Sequence, residues 1–256
     1  MYKIFDSHAH YDDERFDPDR DELLELLPQK GICCIINAAS DLATGEKCLE
    51  LAEKYDYIYA AAGVHPHEAD SWNELSEERL RAQLKHPKAV AIGEIGLDYH
   101  YDFSPREVQC EVLRRQLRLA KELDLPVIIH DREAHGDMYA ILREFSPLRG
   151  VVHCFSGSVE LADETIRYGM HIGLGGAVTF KNARVPLEVA AHIPLERLLV
   201  ETDAPYMTPV PHRGERCDSS MIAYTAEKLA EVRGISPEEL LDAASRNAQQ
   251  LFGISL

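Results

Sequence analysis

Eight short apolar runs separated by amphipathic, charged stretches constrain this chain more than any other feature. The runs are Lys3–Ser7, Ile32–Asn37, Ile58–Val64, Ala89–Ile95, Pro126–Ile129, Gly150–Val152, Met170–Gly173 and Arg197–Val200. Between them lie helical segments with clear start signals. Ser104-Pro105-Arg106-Glu107 reads as a capping box with proline at the first helical position, and Val108, Val112, Leu113, Leu117, Ala120 and Leu123 follow at helical spacing. Ser236-Pro237-Glu238-Glu239 opens the last helix in the same way, with Gly253 just past its end. Strand–helix units repeated eight times predict an α/β fold, a (β/α)8 TIM-like barrel. A chain of 256 residues with 45% hydrophobic content can bury such a core. No linker, low-complexity tract or internal repeat interrupts it, so the expectation is one domain over residues 1–256.

The ends of these runs carry the chemistry. The first ends in His8-Ala9-His10, the third in Gly63-Val64-His65-Pro66, and the fourth in Gly93-Glu94-Ile95-Gly96-Leu97-Asp98. The fifth ends in His130-Asp131-Arg132, the sixth in His153-Cys154, and the eighth in Glu201-Thr202-Asp203. In a β/α barrel all these ends converge on one mouth. Two imidazoles two residues apart on a strand share a face, about 6–7 Å apart, and can grip one divalent ion. Alone, such a pair is more often two surface histidines; with a histidine or carboxylate at five other strand ends, the bland reading loses its weight. His8, His10, His130, His153, Glu94 and Asp203 suffice for two adjacent ions with one carboxylate bridging. That pairing clamps a phosphoryl oxygen and generates hydroxide at neutral pH. Mixed nitrogen and oxygen donors suit Zn, Mn, Co or Ni and do not exclude Mg. Cys154 is expected to point away from its neighbour His153. Alternation places Asp6 and Glu201 one layer below the ligands, where a carboxylate orients a ligating histidine. Asp98 and Asp131 are read as out of phase for ligation and as loop structure.

Composition excludes more than it assigns. A net charge of −17 argues against a protein that coats nucleic acid through a basic surface, though not against a hydrolase whose ions neutralise phosphate locally. The six cysteines form no CxxC pair and read as reduced, mostly buried thiols of a cytoplasmic protein. No run approaches the ~20 apolar residues of a membrane span, and no signal peptide is expected.

The segments DSHAH, GVHP, GEIGLDY, HDREA, HCFSGS, GGAVTFKNA and ETDAPY…PHRGER resemble the TatD family of metal-dependent hydrolases. The likeness runs from residue 6 to about residue 216 and on into SPEELLDAASRNAQQLFG. It implies a barrel of the amidohydrolase type, a two-metal site and hydrolysis of phosphodiesters. The implied enzyme is a magnesium- or manganese-dependent deoxyribonuclease acting from 3′ ends, with DNA as its partner. By position, His8, His10 and Asp203 would hold one ion, His130 and His153 the other, and Glu94 would bridge them. Asp203 would accept the proton of the attacking water, with His65 and Glu201 as the other candidate catalytic residues. His65 and Arg213 would face substrate, with Arg132 and Lys181 weaker candidates for the same role. Cys217-Asp218-Ser219-Ser220 replaces the Asn-Glu-Pro segment usual after the arginine, which puts one wall of the substrate site in question. The alternative is a metal-dependent ester hydrolase, such as a D-aminoacyl-tRNA deacylase; a scaffold on a retained barrel fits the complete ligand set poorly.

Overall fold

The computed structural model describes residues 3–256. Eight parallel strands follow one another around a nearly closed barrel: β1 Ile4–Ala9, β2 Ile32–Ala38, β3 Ile58–Ala62, β4 Ala89–Asp98, β5 Val127–Arg132, β6 Gly150–Val152, β7 His171–Leu174 and β8 Leu198–Val200. The helices are α1 Arg20–Leu26, α2 Leu42–Lys54, α3 Ser76–Gln83, α4 Arg106–Leu123, α5 His135–Phe145, α6 Val159–Arg167, α7 Arg184–His192, α8 Ile222–Arg233 and α9 Pro237–Phe252. All eight expected runs form strands, so the β/α barrel read from them is the observed fold. Among the described residues, no helix is long and apolar enough to cross a membrane. All six cysteines are free thiols.

Alternation along the strands divides the core in two. Phe5, Ile36, Ala61, Ala91, Ile128 and Leu199 face inward and form one cluster. Their neighbours Ile4, Ile35, Ile92, Ile129, Val152 and Leu198 belong to the outer cluster shared with the helices. Leu251 and Phe252 of α9 close the barrel floor, with the Phe252 ring 6.1 Å from that of Phe5. Each such buried ring stabilises the fold by roughly 1.5–3 kcal/mol. The floor is therefore sealed, and only the mouth is open for chemistry. The start of α9 is as the sequence predicts: Ser236 Oγ accepts the Glu239 N–H at 3.1 Å, and Gly253 ends the helix at φ 69°.

Two local expectations are corrected. Ser104 does not cap α4; its hydroxyl donates to the His67 carbonyl (2.9 Å) and accepts the Asp70 N–H (3.1 Å), tying two mouth loops together. Asp6 does not lie beneath the histidine rings. It sits in the β1/β8 seam, accepting from the Thr202 N–H (3.0 Å), Thr202 Oγ1 (2.6 Å), Ser219 Oγ (2.7 Å) and the His8 N–H (3.3 Å). The cause is a bulge: Asp6 pairs with Ile35 but Ala9 with Asn37, so three steps on β1 match two on β2 and the alternation changes phase. The seam itself is short. Ala9 bridges Ala204, the His10 N–H donates to the Ala204 carbonyl (2.7 Å), and the Asp203 N–H donates to the His8 carbonyl (3.0 Å).

Candidate metal centre

That seam delivers the first donor set. Closing β1 on β8 brings His8, His10 and Asp203 together, with the two imidazole Nε2 atoms 3.0 Å apart. Asp203 Oδ1 lies 3.6 and 3.5 Å from them, and Glu94 Oε2 lies 3.3 and 3.4 Å away. The second set gathers on the other oxygen of Glu94. His130 Nδ1 and His153 Nε2 each lie 2.7 Å from Oε1, and His65 Nε2 lies 3.5 Å away. Glu94 reaches this central place through another bulge: Ile92 pairs with Val127 and Ile95 with Ile129, giving β4 one extra residue there. Gly93 allows the close approach, since a Cβ there would meet Ile128 Cβ at 2.7 Å.

For His10 and His130, a hydrogen bond on the far side of the ring fixes which nitrogen faces the cluster. His10 Nδ1 donates to the Ala38 carbonyl (2.8 Å), leaving the Nε2 lone pair inward. His130 Nε2 donates to Asp98 Oδ2 (3.1 Å), which turns its Nδ1 toward Glu94 Oε1. His65 is arranged the opposite way. Its Nδ1 accepts the His67 N–H at 3.1 Å, so the neutral ring turns an Nε2–H toward the cluster. His65 is thereby set as a hydrogen-bond donor to whatever occupies the mouth.

The donor set fits divalent ions. A tetrahedral ion with 2.0–2.1 Å bonds holds its ligands about 3.3 Å apart; the donors of the first set lie 3.0–3.6 Å apart and those of the second 2.7–3.3 Å. His8, Glu94 and His153 are buried, and a carboxylate buried among them calls for a compensating positive charge, which a divalent ion or a protonated imidazole can supply. Burial pushes His8 and His65 down to about 4. Burial also opposes charge on Glu94, but the surrounding His153, His65 and His8 hold its carboxyl well below the usual range. For His130 burial is outweighed by Asp98 and Glu94, which raise it to about 9. Burial lifts Glu201 to about 7.

Glu201 stands behind the second set. Its Oε1 accepts the Cys154 N–H and lies 3.9 Å from His153 Nδ1. Among the described residues, Glu201 Oε2, His153 Nδ1 and His8 Nδ1 have no hydrogen-bond partner. Gly173 makes room for this carboxylate, because a Cβ there would lie 2.5 Å from Oε2. Arg132 and Arg213 stand outside the cluster. Arg132 lies over Tyr101 at 4.7 Å, and Arg213 lies over Phe180 at 3.9 Å while donating to the Thr208 carbonyl. Asp131, expected in a loop, lies within β5 paired with Leu97, and its Oδ2 accepts from His135 Nδ1 at 2.7 Å.

Asp98 corrects the sequence reading. It is fully buried, and its Oδ2 serves both His130 and His67 Nε2 (2.9 Å). Four residues beyond Glu94 on the same strand, it is in phase with Glu94, and that spacing is the signal that was available. Gln109 of α4 clamps the Asp98 backbone from both sides, N–H (2.9 Å) and carbonyl (3.2 Å). Gln116 does the same for Val64 beside His65. The atypical loop after Arg216 turns inward: Ser219 bonds Asp6 and Tyr11, and Cys217 is buried.

Comparison with known proteins places this geometry. A family model described as TatD related DNase matches residues 5–253. The chain is 43% identical to the uncharacterized metal-dependent hydrolase YabD of Bacillus subtilis, covering 98% of this chain and 100% of that one. It is 37% identical to the 3'-5' ssDNA/RNA exonuclease TatD of Cronobacter sakazakii, covering 97% of each. Among solved structures, the TatD homolog YjjV of Escherichia coli K12 superposes with a TM-score of 0.93 at 36% identity, covering 99% of each chain.

Proposed function

The chain belongs to the family of TatD related DNases, metal-dependent hydrolases, and from that membership we propose that it is a two-metal exonuclease releasing nucleotides from the 3′ ends of single-stranded DNA. The observation that carries the two-metal reading is the split of Glu94, one carboxylate oxygen facing His8, His10 and Asp203 and the other facing His130 and His153. The exonuclease name borne by the Cronobacter relative supports the substrate and extends it to RNA.

Bound between these donors, divalent ions supply Lewis acidity toward a phosphoryl oxygen and a water nucleophile at neutral pH. The chain's own residues do the rest. His8, His10 and Asp203 would hold one ion, His130 and His153 the other, with Glu94 offering an oxygen to each set. Asp203, at the rim of the first set, would accept the proton of an attacking water. His65 donates its Nε2–H to a non-bridging phosphate oxygen or to the departing oxygen. Glu201 positions His153 from behind.

A 3′-labelled single strand incubated with Mg²⁺ or Mn²⁺ tests this. Wild type should release label only with metal, and Glu94→Ala should lose roughly 10³-fold or more in rate, as expected when several kcal/mol of charge stabilisation disappears. Metal analysis should show Glu94→Ala depleted of both ions. Equal, metal-independent release by the two proteins overturns the proposal.

A further inference from the structure

The loop after β4 lays two aromatic rings open to solvent beside the second donor set. Tyr101 is 49% exposed and Phe103 68%. The rings stack on each other, with centroids 5.3 Å apart and planes 21° from parallel. His67 packs edge-on against both, at 5.4 and 4.9 Å. The same His67 ring lies 4.3 Å from His65 and bonds Asp98, so the aromatic pair is one ring removed from the donors around Glu94. Arg132 covers Tyr101 from the end of β5. Leaving such large rings in water forgoes burial worth kilocalories, and no packing need of the barrel core explains it.

The same device recurs around the mouth. Arg15 lies 4.0 Å over Tyr206, whose ring is 6.5 Å from that of His10, and Arg213 lies over Phe180. In a chain of net charge −17, aromatic rings faced by arginines are thus set at the rim on different sides of one site. A flat π-surface beside a cation is the chemistry that receives a nucleobase and its phosphate without reading sequence.

We infer that the Tyr101–Phe103 pair is a stacking seat for one unpaired base of the substrate, with Arg132 steadying it. This rests on the nuclease reading above. A base inside a duplex has both faces covered by its neighbours, so the seat accepts only a base from a single strand or a frayed end. The substrate class this selects is single-stranded nucleic acid, whatever its sequence.

The test compares a natural single-stranded oligonucleotide with one whose 3′-terminal nucleotides lack bases, in Mn²⁺, for wild type, Tyr101→Ala/Phe103→Ala and Phe103→Tyr. For wild type, removing the bases should raise KM roughly 10-fold, within the range for stacking on aromatic side chains. The double variant should start at the raised KM and show no further change on base removal. Phe103→Tyr, which keeps the ring, should behave as wild type. A 2-aminopurine near the 3′ end should be quenched by wild type and not by the double variant. If the double variant keeps the wild-type preference for bases, the seat is overturned while the nuclease reading stands. If wild type cuts no oligonucleotide of either kind, the nuclease reading falls and takes this inference with it.

Discussion

The two halves of the donor cluster hold their imidazoles by different means. Around His8, His10 and Asp203 the main chain does the work. His10 leans on the Ala38 carbonyl, Asp203 hangs from the His8 carbonyl, and the whole arrangement is the β1/β8 seam. Its buried carboxylate, Asp6, touches no ring and instead gathers Thr202, Ser219 and the His8 N–H. Around His130 a carboxylate does the work directly, since Asp98 takes Nε2–H bonds from both His130 and His67. In the first half, site geometry and barrel closure are one thing. In the second, a buried charge orients the ligand and raises its basicity without closing anything. The same residue type therefore has different work in each half: Asp6 serves the fold, Asp98 the affinity for metal.

Removing each carboxylate should break the two halves differently, and Asp6→Ala should have the larger effect. It strips two backbone N–H groups and two hydroxyls of their acceptor in a fully buried seam. The expected cost is about 3 kcal/mol of unfolding free energy, at the upper end for stranded buried donors. Denaturant unfolding of the metal-free protein reads it directly. A change below about 0.5 kcal/mol would mean the seam closes without Asp6.

Asp98→Asn should do the converse. The amide keeps the shape and the backbone contacts but loses the charge behind His130. Of the two ions proposed, the one beside His130 should bind roughly 10–100-fold more weakly, while unfolding of the metal-free protein shifts by about 1 kcal/mol or less. Calorimetric titration with Mn²⁺ separates the ions. Equal weakening of both would show that Glu94, shared by the two sets, transmits the loss across the whole cluster, and the contrast between the halves would collapse.

Much of this was legible in the residues. Apolar runs and their polar ends place all eight strands, and the six donors read from those ends do meet in the structure. What alternation alone could not supply was phase. The bulges in β1 and β4 shift side chains between faces, and no local sequence pattern marks them; hence Asp6 was expected under the ligands and was not there. Asp98 was a different failure, because it stood in phase with Glu94 and was set aside as loop. Contacts such as Ser219 with Asp6 join positions 213 residues apart, and only the closed barrel shows them. The tautomer of His65 is equally invisible from sequence, since a backbone N–H two residues on decides it.

The smallest expected effect lies at the opposite end of the barrel and separates acid effects on the fold from acid effects on the mouth. His171 opens β7, partly buried, with Nδ1 3.4 Å from the Gly150 carbonyl. Burial, helped by the nearby Arg197, lowers it to about 4. A histidine whose folded value lies below its unfolded value binds a proton more readily when unfolded. Its neutral form therefore supports the fold fully above about pH 6.5, and that support is lost as pH falls toward 4. The shift sets a ceiling near 3 kcal/mol, and partial solvent access reduces the expected share to about 1–2 kcal/mol. His171→Gln should accordingly lose about 1–2 kcal/mol less stability than wild type between pH 7 and 4.5, read from denaturant midpoints. The acid limb of its hydrolase activity should stay where wild type has it, because among the described residues His171 shares no hydrogen bond with the donors at the mouth. Should that limb move with the substitution, acid inactivation begins with the fold and not with protonation of the cluster, and both carboxylate variants must then be compared at pH 7 or above.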